Sequence, residues 1–296
     1  MELSDLRTFE AVARLGGMNR AAAELNTVQS NVTTRIRALE RELGVALFRR
    51  HSRGVELTRA GARLLPYASR AAWVLAEARR AVLDDGTPSG RLDLGSLETT
   101  AALRLTPVIS SFSAAHPAVA VNLRVGSNKV LVGQVLDHSL DAAFVCGPVD
   151  HPELDCEVVF EEELVIGRSA SVAMDGPALA DGVRIIVKSP GCAYRDRLED
   201  LLGSVGVRDH AVLEFGTLDA IVGCVKAGLG VTMLPRSVLA AAEAAGDVVL
   251  EEISPDLSAV ETVLIRRRGA VEFSALREFI GFLRSDGTRG ERLIAA

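Results

Sequence analysis

The chain has 296 residues, enough for more than one domain, and its 48% hydrophobic and 24% charged residues give ample material for a core. The formal net charge of −6, taken whole, argues against a nucleic-acid partner, but it hides an asymmetry. Residues 1–80 hold fourteen arginines, no lysine and eight acidic residues, a net +6, while the remainder holds nineteen basic and thirty-one acidic residues, a net −12. A basic head on an acidic body fits a nucleic-acid module joined to something else; a drift in surface charge would give the same figures. MELSDLRTFE reads as an amphipathic helix start rather than a signal segment, and no apolar run is long enough to span a bilayer. Cys146, Cys156, Cys192 and Cys224 are widely spaced, with no C-x-x-C and no clustered histidines. That pattern predicts neither a zinc site nor a disulfide scaffold, no cofactor, and a reducing cytoplasm.

In chain order, Leu3, Leu6, Phe9, Val12 and Ala13 mark one face of a first helix, which Gly16–Gly17 ends. Asn19 is expected to cap a short second helix, RAAAEL, and a break at 26–28 precedes a third helix that Gly44 stops. On the third helix Val32, Ile36, Leu39 and Leu43 form a narrow core stripe. Ser30, Thr34, Arg37 and Arg41 occupy the opposite face, flanked by Asn31 and Thr33. Short polar side chains near a helix N-terminus approach base edges and phosphates closely, whereas a merely solvated face carries Glu and Lys more often. Next, Leu47–Phe48 and Val55–Leu57 flank the polar turn His51-Ser52-Arg53-Gly54, a small hairpin with Arg49, Arg50 and Arg53 at its tip. Arginines there suit phosphate or minor-groove contact.

These pieces together identify a family resemblance. FEAVARLGGMNRAAAELN, VTTRIRALERELGVALFRR and RGVELTRAG resemble the winged helix-turn-helix of LysR-type transcriptional regulators. The resemblance implies DNA contact by Gln29, Ser30, Asn31, Thr33 and Thr34. Val28 stands where the family usually has Ser or Thr, so capping is expected to pass to Asn26 or Thr27; Ser30 replaces a frequent proline.

Thr58 is predicted to cap a long helix to about Leu83. Leu64, Ala68, Ala71, Leu75, Ala78 and Val82 step along it as a heptad seam, either for a second copy of the chain or for packing on the helix's own domain. The resemblance favours dimerisation, and two paired recognition helices would read a dyad-symmetric site. Asp84-Asp85-Gly86-Thr87-Pro88-Ser89-Gly90 is the clearest linker. The expected domains are 1–58 for the winged helix-turn-helix, 59–88 for the linker helix and hinge, and 89–296 for the body.

In the body, RLDLGSL, VAVNLRV, DAAFVC, EVVFEEELVIG, VRIIVK, AVLEF, GVTML and TVLIRR alternate with helical segments, an α/β order with mostly parallel strands. The opening strand and helix with Pro107, LDAAFVCGP and AGLGVTMLP resemble the effector-binding domain of the same family, which has the two-lobed periplasmic-binding-protein fold. On that fold the interlobe crossings are expected near Glu161–Val165 and Thr262–Arg267. Lobe one would be 91–161 with 267–296, and lobe two 162–266. The resemblance then implies a small-molecule effector in the cleft, held by helix N-termini without a lysine. Lobe one would offer Ser96, Glu98, Thr99, Thr100, Ser127, Asn128, Cys146 and Gly147. Lobe two would offer Ser189, Gly191, Cys192 and Tyr194 before one helix, with Gly216 and Thr217 before another. Each of these is also a plausible helix cap, Thr100 and Ser127 above all. Glu98 would suit an amine or amino acid, or else simply complement a helix N-terminus. Cys192, just before a predicted helix, reads as a small cleft residue rather than a redox sensor.

The reading is a DNA-binding regulator that pairs through its linker helices, two dimers forming a homotetramer, and answers to a small-molecule effector. The rivals are a small-molecule-binding protein that reads no DNA sequence, and an enzyme. Against the enzyme, the chain carries no P-loop, no strand-linked G-x-G-x-x-G and no G-x-S-x-G.

Overall fold

The computed structural model describes residues 1–51, 54–172 and 178–286. The chain divides into two compact units, one of Met1–Gly86 with Asp137–Ser139, and the other of Thr87–Leu136 with the chain from Leu140 onward.

The first unit starts with α1 (Leu3–Leu15), α2 (Met18–Glu24) and α3 (Gln29–Leu43). α1 and α3 end on left-handed glycines, Gly16 at φ 64° and Gly44 at φ 69°, a conformation a Cβ disfavours. Phe9, Val12, Val32, Ile36 and Leu39 are buried together, as their helical spacing predicts. Leu3 and Leu43, at the outer ends of their helices, stand exposed, so the stripe is shorter than the periodicity implied. α2 starts one residue before Asn19: Gly17 is its N-cap, and Asn19 lies inside the helix behind the buried Met18.

Strands β1 (Phe48–His51) and β2 (Gly54–Leu57) pair antiparallel, Phe48 with Leu57 and His51 with Gly54. Thr58 then caps α4 (Arg59–Leu83), its hydroxyl accepting from the Gly61 N–H at 3.1 Å. Gly61 packs so closely under the hairpin that a Cβ there would lie 2.2 Å from the Leu47 carbonyl oxygen. The first third of α4 belongs to this unit's core: Ala68 is fully buried there and Leu64 packs against it. Those two positions of the expected seam are therefore occupied by the chain's own helices. Leu75 and Val82 remain exposed, at 37% and 84%.

The second unit opens with β3 (Gly90–Ser96), α5 (Glu98–Thr100), a π-helical turn at Ala101–Leu105 and α6 (Thr106–Ala115). There follow β4 (Val119–Val125), α7 (Asn128–Leu136), β5 (Ala142–Cys146) and the long β6 (Leu154–Ser169). β7 (Val183–Val187), α8 (Ala193–Ser204), β8 (His210–Glu214), α9 (Leu218–Lys226), β9 (Thr232–Pro235), α10 (Arg236–Ala244) and β10 (Val248–Glu251) come next. The described part ends with α11 (Pro255–Ser258), β11 (Ala259–Arg267) and α12 (Ser274–Asp286).

The pairing is mixed rather than mostly parallel. β3 pairs parallel with β4 and β5, and β7 with β8, but β11 runs antiparallel to β5 and β6, as do β9 and β10 to β6. β6 joins two lobes. Its first part, Leu154–Glu163, pairs with β11; from Leu164 it pairs with β9 and β10. A register shift opposite Thr262/Val263 bends it just before the change of partner. On this pairing the change of partner falls inside 161–165. The second crossing does not fall at Thr262–Arg267, because those residues pair with β5 and β6 in lobe one. The chain returns instead at the start of β11, where Ala259–Glu261 pair with Glu163–Glu161 of the first crossing and Val260 is buried in the cluster of lobe two. Lobe one therefore regains the chain near 262, where β11 begins to pair with β5, and lobe two ends near 261 rather than 266. Lobe one packs two clusters on its sheet, around Phe112, Phe144 and Phe279 and around Leu131, Val135 and Ile265. Lobe two has its own, around Ile185, Leu198, Val225 and Leu239.

Candidate functional site

Two surfaces carry the residues singled out in the sequence. On the first unit, Gln29, Ser30, Asn31, Thr34 and Arg37 of α3 are exposed and Thr33 is half-buried, opposite the buried Val32, Ile36 and Leu39. The cap expected at Asn26 or Thr27 is absent. Val28 is the N-cap and offers no side-chain bond; Asn26 sits at φ 50°, and the Thr27 hydroxyl accepts from the Asn31 amide at 2.9 Å instead. A helix start without a capping side chain leaves N–H groups for an outside anion. The Thr34 hydroxyl donates to the Ser30 carbonyl at 2.9 Å, so its polar atom already serves the helix. Glu40, on the same helix, accepts from the Leu47 and Phe48 N–H groups at 2.8 and 3.2 Å and so ties the hairpin to α3. Arg49 and Arg50 lie within β1, opposite Glu56 and Val55, rather than at the hairpin tip, because the strand continues to His51. Arg53 lies outside the described residues.

The second surface is a cleft of about 530 Å³ in the second unit, between its two lobes. That size suits a small organic molecule. From lobe one, the segment after β3 contributes Leu97, Glu98 and Thr99, and the segment after β4 contributes Val125, Gly126 and Ser127. From lobe two, Lys188 to Tyr194 line it after β7, with Gly216 and Leu218 after β8. All four segments leave the carboxyl ends of parallel-paired strands, where α/β sheets gather ligands.

Of the expected cleft residues, Glu98, Thr99, Ser127, Ser189, Gly191, Cys192, Tyr194 and Gly216 therefore come together. The others have different duties. Ser96 is buried and its hydroxyl donates to the Leu97 carbonyl at 2.9 Å. Thr100 is fully buried. Asn128 exchanges two hydrogen bonds with the backbone of Cys146, at 2.7 and 2.9 Å, which fastens α7 to the end of β5. Cys146 itself is buried, and burial pushes its thiol up to about 11. Gly147 lines a separate hollow with Glu161 and Arg197. Thr217 caps α9 through the Ala220 N–H at 3.3 Å.

Lys188, which the sequence reading passed over, forms an ion pair with Glu98 across the cleft. The other Glu98 oxygen accepts from the Leu218 N–H at 3.4 Å. A second set of interlobe bonds was also missed. The Tyr194 hydroxyl lies 3.3 Å from the Thr99 hydroxyl and donates at 3.1 Å to Glu162, on the stretch of β6 that joins the lobes. Glu162 is buried; burial raises its carboxyl above the ordinary range, and the Tyr194 hydrogen bond and the Arg104 charge offset part of this. The Arg104 Nε stands 3.9 Å from Glu162, too far for a hydrogen bond, and the facing Oε1 has no hydrogen-bond partner. Neither Lys188 nor Glu162 stands in a pattern that spacing alone would flag. Among the described residues, no group of three or more His, Cys, Asp or Glu is placed to hold a metal.

Comparison with known proteins agrees with this architecture. The family described as bacterial regulatory helix-turn-helix proteins of the lysR family matches residues 3–62, and the LysR substrate binding domain matches residues 85–287. The HTH-type transcriptional regulator YusT of Bacillus subtilis (strain 168) is 44% identical over 282 residues, 95% of this chain and 94% of its own. A full-length OxyR variant from Pseudomonas aeruginosa superimposes with a TM-score of 0.74 at 20% identity, covering 98% of this chain and 95% of that one. CbnR, a LysR family transcriptional regulator, superimposes at 0.65 with 23% identity, covering 97% and 99%. With a DNA-binding head and an effector-binding body both matched along the chain, the protein belongs to the LysR family of transcriptional regulators.

Proposed function

We propose that α3 reads a dyad-symmetric promoter site through Gln29, Ser30, Asn31, Thr33 and Thr34, with Arg37 and the hairpin arginines Arg49, Arg50 and Arg53 on the phosphates. The observation that carries this is the uncapped start of α3, with short polar side chains exposed around it and a buried apolar stripe behind. The net charge of +6 on residues 1–80 supports the phosphate contacts.

The effector occupies the interlobe cleft. Glu98, Thr99, Ser127, Ser189, Gly191, Cys192, Tyr194 and Gly216 line it, and Lys188 joins them. Binding acts by favouring one arrangement of the lobes over another, which only a differential affinity can do. Two copies pair through the exposed part of α4, at Ala71, Leu75, Ala78 and Val82, and two dimers make a homotetramer. The protein works in the cytoplasm, with residues 1–58 as head, 59–88 as linker helix and hinge, and the rest as effector domain. Among the described residues no helix is long and apolar enough to cross a membrane.

The test is genome-wide binding-site selection with the purified chain at one fixed, moderate salt concentration, followed by footprinting. A recovered dyad upstream of a gene is the expected result. Weak, salt-sensitive binding with no enriched sequence would overturn the readout.

A further inference from the structure

Glu98 and Lys188 are the two charged residues that line the interlobe cleft among the described residues, and they come from opposite lobes. Their side chains are 30% and 25% exposed, so each charge has lost much of its hydration and leans on the other. The rest of the lining is neutral: hydroxyls from Ser127 and Ser189, and apolar contact from Leu97, Val125 and Leu218.

This pair restricts what can enter. A dicarboxylate would answer Lys188 and bring a second negative charge towards Glu98. A simple amine would answer Glu98 and leave Lys188 half-buried without a counter-charge. Removing one partner of a desolvated pair costs more than the pair itself contributes. A molecule bearing both an ammonium and a carboxylate meets neither difficulty. Its ammonium takes the place of Nζ at Glu98, and its carboxylate takes the place of Glu98 at Lys188. The start of α8, whose N-cap Cys192 makes no side-chain capping bond, adds N–H donors on the carboxylate side.

We propose that the effector is an amino-acid-like zwitterion that inserts between Glu98 and Lys188 and replaces their direct ion pair with two ligand-mediated ones. This rests on the reading of the cleft as the effector site. No covalent bond is made or broken; the ligand exchanges one direct interlobe ion pair for two ligand-mediated ones, so the lobes stay bridged at a new separation.

Isothermal titration of the full chain with each of the twenty L-amino acids tests the class. For every amino acid that binds, its des-amino acid and its decarboxylated amine are titrated too, along with succinate and benzoate. The expected result is one or more amino acids that bind, with both analogues weaker by at least about tenfold. In Glu98→Gln the amino acid and its des-amino acid should bind alike; in Lys188→Met the amino acid and its amine should bind alike. Succinate or benzoate binding where no amino acid does, or no binding at all, overturns the zwitterion. Gly216→Leu separates the two possible failures, since a Cβ there meets nothing within 4 Å and the new side chain only fills cleft space. An acid whose binding Gly216→Leu weakens leaves the cleft reading standing and the zwitterion wrong. An acid indifferent to it removes the cleft reading as well.

Discussion

The Tyr194 hydroxyl of lobe two donates to the buried Glu162 carboxylate at 3.1 Å while touching the Thr99 hydroxyl of lobe one at 3.3 Å. One side chain thus meets the cleft, the opposite lobe and the strand that joins the lobes. Tyr194→Phe keeps the ring and deletes the donor. Leaving a buried acceptor unpaired costs about 1–3 kcal/mol, so denaturant unfolding of the second unit should shift by that amount. In the Glu162→Gln background the same change should cost less, because a neutral amide loses less than a carboxylate. Equal losses in both backgrounds would show that the hydroxyl serves only Thr99.

Glu162 also sets a pH dependence. Its folded carboxyl is raised above the ordinary value of 4.5, chiefly by burial. Between those two values the folded chain holds a proton that the unfolded chain has released. Stability therefore falls as pH rises through that window and levels off above it. Glu162→Gln should abolish this fall, so the stability difference between variant and parent should grow with pH and then plateau. Tyr194→Phe removes a bond that lowers the Glu162 value, which should carry the fall to higher pH. A difference independent of pH in urea titrations would show that Glu162 ionises as it does in water.

The parts of the molecule legible in the sequence were those written in local pattern. The burial of Val32, Ile36 and Leu39, the Thr58 cap and the left-handed ends at Gly16 and Gly44 all follow from residues within a turn or two of one another. The eight apolar runs of the body all became strands, but β10 escaped notice inside DVVLEEI because its acidic neighbours mask so short a run. Strand direction did not follow from the runs themselves. Alternation predicts a strand, whereas the antiparallel pairing of β6 with three partners depends on where the chain returns. Eight of the residues expected in the cleft line one cavity, whereas the charge of that cavity was not foreseen. Lys188 meets Glu98 across ninety residues of sequence, and no spacing rule links them. The same limit applies to Asn128 and Cys146, two candidate ligands that turned out to hold each other.

On α3, proposed above to read DNA, Asn31 and Thr34 have unequal prospects. The Asn31 amide nitrogen is bonded to Thr27, which steadies the side chain and leaves its oxygen as an acceptor. The Thr34 hydroxyl spends its one proton on the Ser30 carbonyl, so its oxygen can only accept and its methyl can touch a base. Asn31→Ala should lower discrimination between the selected site and random DNA by about 1–3 kcal/mol, and Thr34→Ala by less. Competition binding at fixed salt measures both. Equal weakening on specific and random DNA would reduce Asn31 to a backbone contact.

Glu40 links that helix to the hairpin by accepting from two backbone N–H groups. Glu40→Ala leaves both donors without their partner, a loss of about 1–3 kcal/mol for each that stays buried. Amide exchange at Leu47 and Phe48 should quicken well before the core of α1 and α3 responds. Affinity for DNA of any sequence should fall with it if the hairpin arginines meet phosphate. Faster exchange with unchanged DNA affinity would take the hairpin out of the interface.

The linker helix offers a division that substitution can expose. Ala68 is fully buried in the head's own core, whereas Leu75 and Val82 of the same heptad series are exposed at 37% and 84%. A large apolar surface left open on a long helix is stable in water when a second copy covers it. Val82→Glu should leave the head folded and raise the dimer dissociation constant by more than about tenfold, since a charge must then be buried or repelled at the seam. Ala68→Glu should instead unfold the head, whatever the association state. Sedimentation velocity and helix content together separate the two. A Val82→Glu chain that sediments as the parent does would move the dimer contact off this face of α4.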